Sequence, residues 1–162
     1  MRKTRKNIHH HHMLVRMESI LHPSKAHIPE IRKLIQTIVK ELGMQLIGSP
    51  HVYYVDSPAS NKGITSASSI MTSHISFHYW DTPESGVLLN PKSKSLLQMD
   101  LYTCGNLSKE QAGIVLQHLE RYIPTRIDID ILNRKSRLQL DEHLHWNDTG
   151  KRSFSDWLHN HF

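Results

Sequence analysis

Two short stretches concentrate side chains able to take and give protons near neutral pH. Between His74 and Trp80, the residues His74, Ser76, His78 and Trp80 alternate with Ile75, Phe77 and Tyr79. Between Gln98 and Cys104, the residues Gln98, Asp100, Tyr102 and Cys104 alternate with Met99, Leu101 and Thr103. Alternation of this kind puts each set on one face of a strand. If the two strands pair, His78 and Cys104 occupy the same sheet face. A plain solvated face carries Lys, Glu and Thr more often than His, Trp, Tyr and Cys. Cys104 is the only cysteine, which excludes an internal disulfide framework and a thiolate-rich zinc site. Its thiol is either an inert core group or a chemical one.

The elements that position these residues follow from periodicity. The chain of 162 residues allows one ordinary domain plus tails. Its 38% apolar and 22% charged residues, with a mean hydropathy of −0.48, fit a globular mixture. No apolar run approaches the ~18 residues of a membrane span, and no apolar segment follows the basic start as a secretory signal requires. Met13 to Met17 suits a first strand. Ile28, Ile31, Ile35, Ile38 and Leu42 recur at helical spacing, and Gly43 ends the pattern. Met44 to Ile47 and His51 to Val55 read as a strand bent near Pro50, and Ile64 to Met71 as a third. The stretches around His78 and Asp100 supply two further strands. Ser108 and Gln111 have the form of a capping box, and Ala112, Val115, Leu116 and Leu119 make a second helical face. Ile127, Ile129 and Ile131 alternate with Asp128 and Asp130 as a last strand. The expected fold is α+β, a two-layer sandwich of a mostly antiparallel sheet with two helices on one face.

Residues 1–12 read as a basic, His-rich tail, 13–133 as the domain, and 134–162 as a polar C-terminal extension with a short docking helix around Phe154, Trp157 and Leu158. No metal site is expected. His9 to His12 on a tail have no fixed geometry, and His143, His145, His159 and His161 show no rigid spacing. The net charge of +5 permits an acidic partner, but four of the 20 basic residues lie in the first six positions. No nucleic-acid or membrane partner is expected, and the location is expected to be cytoplasmic.

The run Thr72-Ser73-His74-Ile75-Ser76-Phe77-His78-Tyr79-Trp80, followed by Asp100-Leu101-Tyr102-Thr103-Cys104-Gly105, resembles the small prokaryotic S-adenosylmethionine decarboxylases. That family carries a Ser-His dipeptide, a second histidine four residues on, a nearby tryptophan and a later Thr-Cys-Gly. The resemblance implies a chain that cuts itself between Thr72 and Ser73, leaving a pyruvoyl group on the new chain start. That ketone forms a Schiff base with the substrate amine and accepts electrons as carbon dioxide leaves. By the same resemblance His78 is a proton acceptor during processing, Thr65 a hydroxyl assisting it, and Cys104 the acid that reprotonates the product carbon. Tyr54, with Tyr53 competing, and Trp80 match aromatic residues near the nucleoside. Family members also pair as homodimers that cover the polar sheet face, and they serve polyamine (spermidine) synthesis.

Two departures stand out. Thr72 and Thr82 occupy positions where family members usually carry glutamate, the second of which contacts ribose. Asp81 and Glu84 flank Thr82, and Glu84 is the candidate substitute. S-adenosylmethionine is therefore the first expected substrate, with ornithine or arginine as the alternative. An unprocessed binding or regulatory homologue is a third reading, favoured by Thr72.

Overall fold

A computed structural model describes residues 9–162 and comprises one antiparallel sheet backed by helices on a single face. The seven strands are β1 (His11–Ser19), β2 (His51–Val55), β3 (Gly63–Ile70), β4 (Ser73–Trp80), β5 (Ser95–Thr103), β6 (Pro124–Asn133) and β7 (Gln139–Asn147). They lie in the order β2-β3-β4-β5-β1-β6-β7, so the two strands rich in functional residues are neighbours at the centre. Helices α1 (Ile28–Glu41) and α2 (Lys109–Leu119) cover one face, and α3 (Phe154–His161) packs against α2.

Period-2 alternation decides which face is which. Met13, Val15, Met17, Ile75, Phe77, Leu101, Ile127 and Ile129 are buried toward Ile31, Ile35 and Ile38 of α1 and Val115 and Leu119 of α2. Among the described residues no helix covers the opposite face, which is polar and is overlaid at one end by the connection from Trp80 to Ser95. Ser108 caps α2 by accepting from the Gln111 amide, with the reciprocal Gln111 contact completing the capping box the sequence predicts.

The long connection from Trp80 to Ser95 is pinned by Glu18, which is fully buried. Its carboxylate accepts from the Leu89 and Asn90 amides at 2.9 Å each, from the Ser93 hydroxyl at 2.7 Å and from Arg16 at 2.7 Å. Burial alone pushes this carboxyl up, but those donors outweigh it and hold the group below the usual glutamate range.

Three elements differ from expectation. β1 starts at His11, two residues before the apolar stretch. Met44 to Ile47 is no strand, contributing a single bridge from Leu46 to Ile70, because Gly43 and Gly48 turn the backbone left-handed on both sides. Residues 134–162 add a seventh strand, whereas α3 is the expected docking helix, with Phe154, Trp157 and Leu158 in the core beside Trp146.

Candidate active site

The β4–β5 register carries two separate groups of functional side chains. Ser73 opens β4 and pairs with Thr103 at the end of β5. Cys104 follows directly, so its exposed Sγ lies 3.4 Å from Ser73 Oγ. The Thr72 carbonyl sits between the two residues. It accepts the Cys104 backbone N–H at 2.8 Å and also takes the Ser73 hydroxyl. A serine hydroxyl, a polarised carbonyl and a thiol thus meet at one sheet corner. Burial and the neighbouring Cys104 thiol push the Tyr102 phenol up.

The second group lies at the other end of β4. Thr65 on β3 pairs with His78, and Thr65 Oγ1 is 3.1 Å from His78 Nδ1. The His78 ring stacks on Trp80 at 5.3 Å, and Trp80 Nε1 donates to Asn61 Oδ1 at 3.0 Å. His78, Thr65 and Trp80 line a cavity of about 170 Å³.

His78 and Ser73 do not meet within one chain. Five steps of extended strand separate them, roughly 16 Å at 3.3 Å per residue. The expected shared face is present, since His78 pairs with Gln98 and His74 with Tyr102, but Cys104 lies past the far end of β5.

The two tyrosines lie on opposite faces of β2. Tyr54 packs against the core with the Lys25 ammonium 5.7 Å from its ring, on the helix side of β2. Tyr53 is 60% exposed and pairs with Thr65, so it is Tyr53 that shares the open face with His78. Glu84 is exposed on the loop after β4 and lines neither cavity beside His78. Asp81 is engaged by His22 at 2.7 Å and Lys62 at 3.3 Å.

A larger cavity of about 590 Å³ runs across the open face from His78, Ser76 and Gln98 to Asp100, Asp128 and Asp130. Its arginines are already paired. Arg126 holds both oxygens of Asp128 at 3.1 Å, and Arg16 serves Glu18. Sequence alternation identifies Asp128 and Asp130 as one strand face. That β6 lies two strands from β5, bringing this face to His78, is knowable only from the strand order.

No curated protein matches the chain. Among solved structures it is similar to a phage SAM lyase in complex with S-methyl-5'-thioadenosine, at 10% identity and a TM-score of 0.39. That match covers 91% of this chain and 95% of that one, a likeness too loose to bear on the site. The family described as S-adenosylmethionine decarboxylase matches residues 11–135, which span β1 to the end of β6 and hold both groups of side chains. The chain belongs to the S-adenosylmethionine decarboxylase family, and its functional class is that of a related decarboxylase or lyase.

Proposed function

We propose that the chain is a self-processing, pyruvoyl-dependent decarboxylase of S-adenosylmethionine, supplying aminopropyl groups for spermidine synthesis. The observation that carries this reading is the Thr72 carbonyl, held by the Cys104 amide with the Ser73 hydroxyl against it. Attack of Ser73 Oγ on that carbonyl carbon forms a C–O bond and puts negative charge on the carbonyl oxygen. The Cys104 N–H already points at that oxygen, and such a donor contributes about 2.7–4 kcal/mol to comparable acyl transfers. The Thr72–Ser73 C–N bond then breaks, leaving an ester and a free amine on residue 73. Removal of the Ser73 Cα proton by a base expels the Thr72 carboxylate, separates the chains and leaves a dehydroalanine at residue 73, whose imine tautomer takes up water and releases ammonia to give the ketone.

The base is the remaining requirement, and His78 of the same chain is too distant. In this reading a second copy related by a two-fold axis supplies His78 and Thr65 at the exposed corner where Ser73 Oγ and Cys104 Sγ meet, at the start of β4. Packing of the two open faces on each other would also account for Tyr53, 60% exposed on that face in one protomer, and for the half-buried Trp80 and Tyr102 beside it. The reading is therefore a homodimer with shared sites.

The residues at this corner fit a pyruvoyl group, which would occupy position 73 and supply an electron-accepting ketone for decarboxylation of an amine substrate. Cys104 donates the proton that replaces carbon dioxide in this reading, which its 3.4 Å approach to Ser73 Oγ supports. Tyr53 and Trp80 offer flat faces to an adenine and a sulfonium. Asp100 and Asp130 give the large cavity negative charge, which also suits the distal cation of ornithine or arginine and supports that second reading.

Release of labelled carbon dioxide from the three carboxyl-labelled substrates, side by side, tests the assignment. Turnover of S-adenosylmethionine supports the first reading. Turnover of ornithine or arginine alone moves the chain to the second, and an uncleaved chain inert with all three is a non-catalytic homologue.

A further inference from the structure

We propose that His12, His74 and Asp100 form a binding site for a borderline first-row divalent cation such as Zn²⁺. The sequence alone suggests no such site, because His12 ends a histidine run that reads as a tail. In the fold, His12 lies within β1, opposite Tyr102 on β5, and His74 on β4 lies opposite the same tyrosine from the other side. Asp100 stands two residues along β5 on the same face. Both imidazoles converge on one oxygen: His12 Nε2 hydrogen-bonds Asp100 Oδ1, and His74 Nε2 lies 3.7 Å from it. All three donor atoms fall within 4.8 Å of one another. Tetrahedral ligands at ~2.0–2.1 Å from zinc stand about 3.3 Å apart, so a modest swing of the His74 ring, exposed in the single protomer, closes the set. Two imidazoles and a carboxylate leave one position open to water.

Arg134 guards the site. Its Nη1 donates to His12 Nδ1 at 3.1 Å, and its guanidinium lies 4.6 Å over the Tyr102 ring. That bond fixes the His12 proton on Nε2, where it faces Asp100. Metal binding at Nε2 needs the proton on Nδ1, where an arginine donor cannot satisfy it. The cation therefore displaces Arg134, removing a nearby positive charge and freeing Nδ1 for an acceptor.

The test is calorimetric titration of the chelator-treated full chain with Zn²⁺, repeated on the Ser73→Ala chain so that the result is independent of self-cleavage. One equivalent is expected to bind, with affinity falling at least tenfold in His74→Ala and in Asp100→Asn. Arg134→Gln, whose side chain accepts from Nδ1–H, is expected to bind several-fold more tightly. His9→Ala with His10→Ala should leave the tight equivalent in place. Thermal melts confirm that each variant folds. Absence of binding, equal affinity in wild type and His74→Ala, or loss of the equivalent only in His9→Ala with His10→Ala overturns the proposal. Unchanged or weaker binding in Arg134→Gln also overturns the guarding role.

Discussion

The roughly 16 Å of strand between Ser73 and His78 can be turned into a counting experiment. A general base must come within about 2.6–3.2 Å of the proton it takes, directly or through one water. No side-chain rotation spans the difference, so within one chain His78 cannot serve Ser73. In a two-fold dimer each site takes Ser73 and Cys104 from one chain and His78 and Thr65 from the other. Ser73→Ala and His78→Ala are then each inactive alone. In a hybrid dimer of the two, one site carries both lesions and the other carries none. Random pairing at equal expression puts about half of the His78→Ala chains into hybrids, so about half of them are cleaved. Ser73→Ala chains are never cleaved. Co-expression with two different affinity tags, followed by denaturing electrophoresis, reads this fraction directly. Isolated hybrids whose His78→Ala chain stays intact would refute the shared site. So would His78→Ala chains that cleave at the wild-type rate without a partner.

Other expectations follow from individual contacts. Glu18→Gln keeps the volume but turns an amide NH₂ toward donors that a carboxylate now satisfies. Breaking a buried pair of this kind costs about 3–5 kcal/mol, a fall in Tm of about 6–20 °C for a chain this size. An unchanged melt removes Glu18 as the clamp of the loop. Because the folded Glu18 pKa lies below the ordinary value near 4.5, its contribution is complete above that pH. The contribution is lost as pH falls through the folded value, so acid titration of stability should be shallower in Glu18→Gln than in wild type. Cys104→Ala keeps the backbone amide and should still cleave while losing turnover; full decarboxylase activity in that variant removes the thiol as proton donor. Tyr53→Ala should raise KM for S-adenosylmethionine about 2- to 12-fold, the value of an aromatic contact, whereas Tyr54→Ala should act on stability first. An equal KM in Tyr53→Ala takes that ring out of the substrate site.

Much of this architecture is legible from periodicity. The apolar positions of α1, the capping box of α2 and the alternation of β4, β5 and β6 each reflect local geometry that a sequence displays. Six of the seven antiparallel strands and a polar open face follow from those patterns. β7 is hidden because an edge strand needs only one apolar side. Leu144 and Trp146 supply that side, while His143 and His145 face outward against Asp130 and Asp128. The approach of Ser73 to Cys104 is foreshadowed by the order of the motif, but the distance between Ser73 and His78 is not. Spacing along a chain says nothing about reach until five residues are known to be fully extended. That Tyr53 and not Tyr54 stands on the open face has the same origin, since a one-residue difference in strand phase moves a side chain to the other face.

Cleavage at Thr72–Ser73 is read most directly by intact-mass analysis of the purified chain under denaturing conditions. The expected result is a 72-residue chain and a 90-residue chain, the second beginning with a blocked, carbonyl-reactive group, and no cleavage in Ser73→Ala. A single intact chain of 18.8 kDa, unreactive toward hydroxylamine under conditions where the protein is folded, would contradict it.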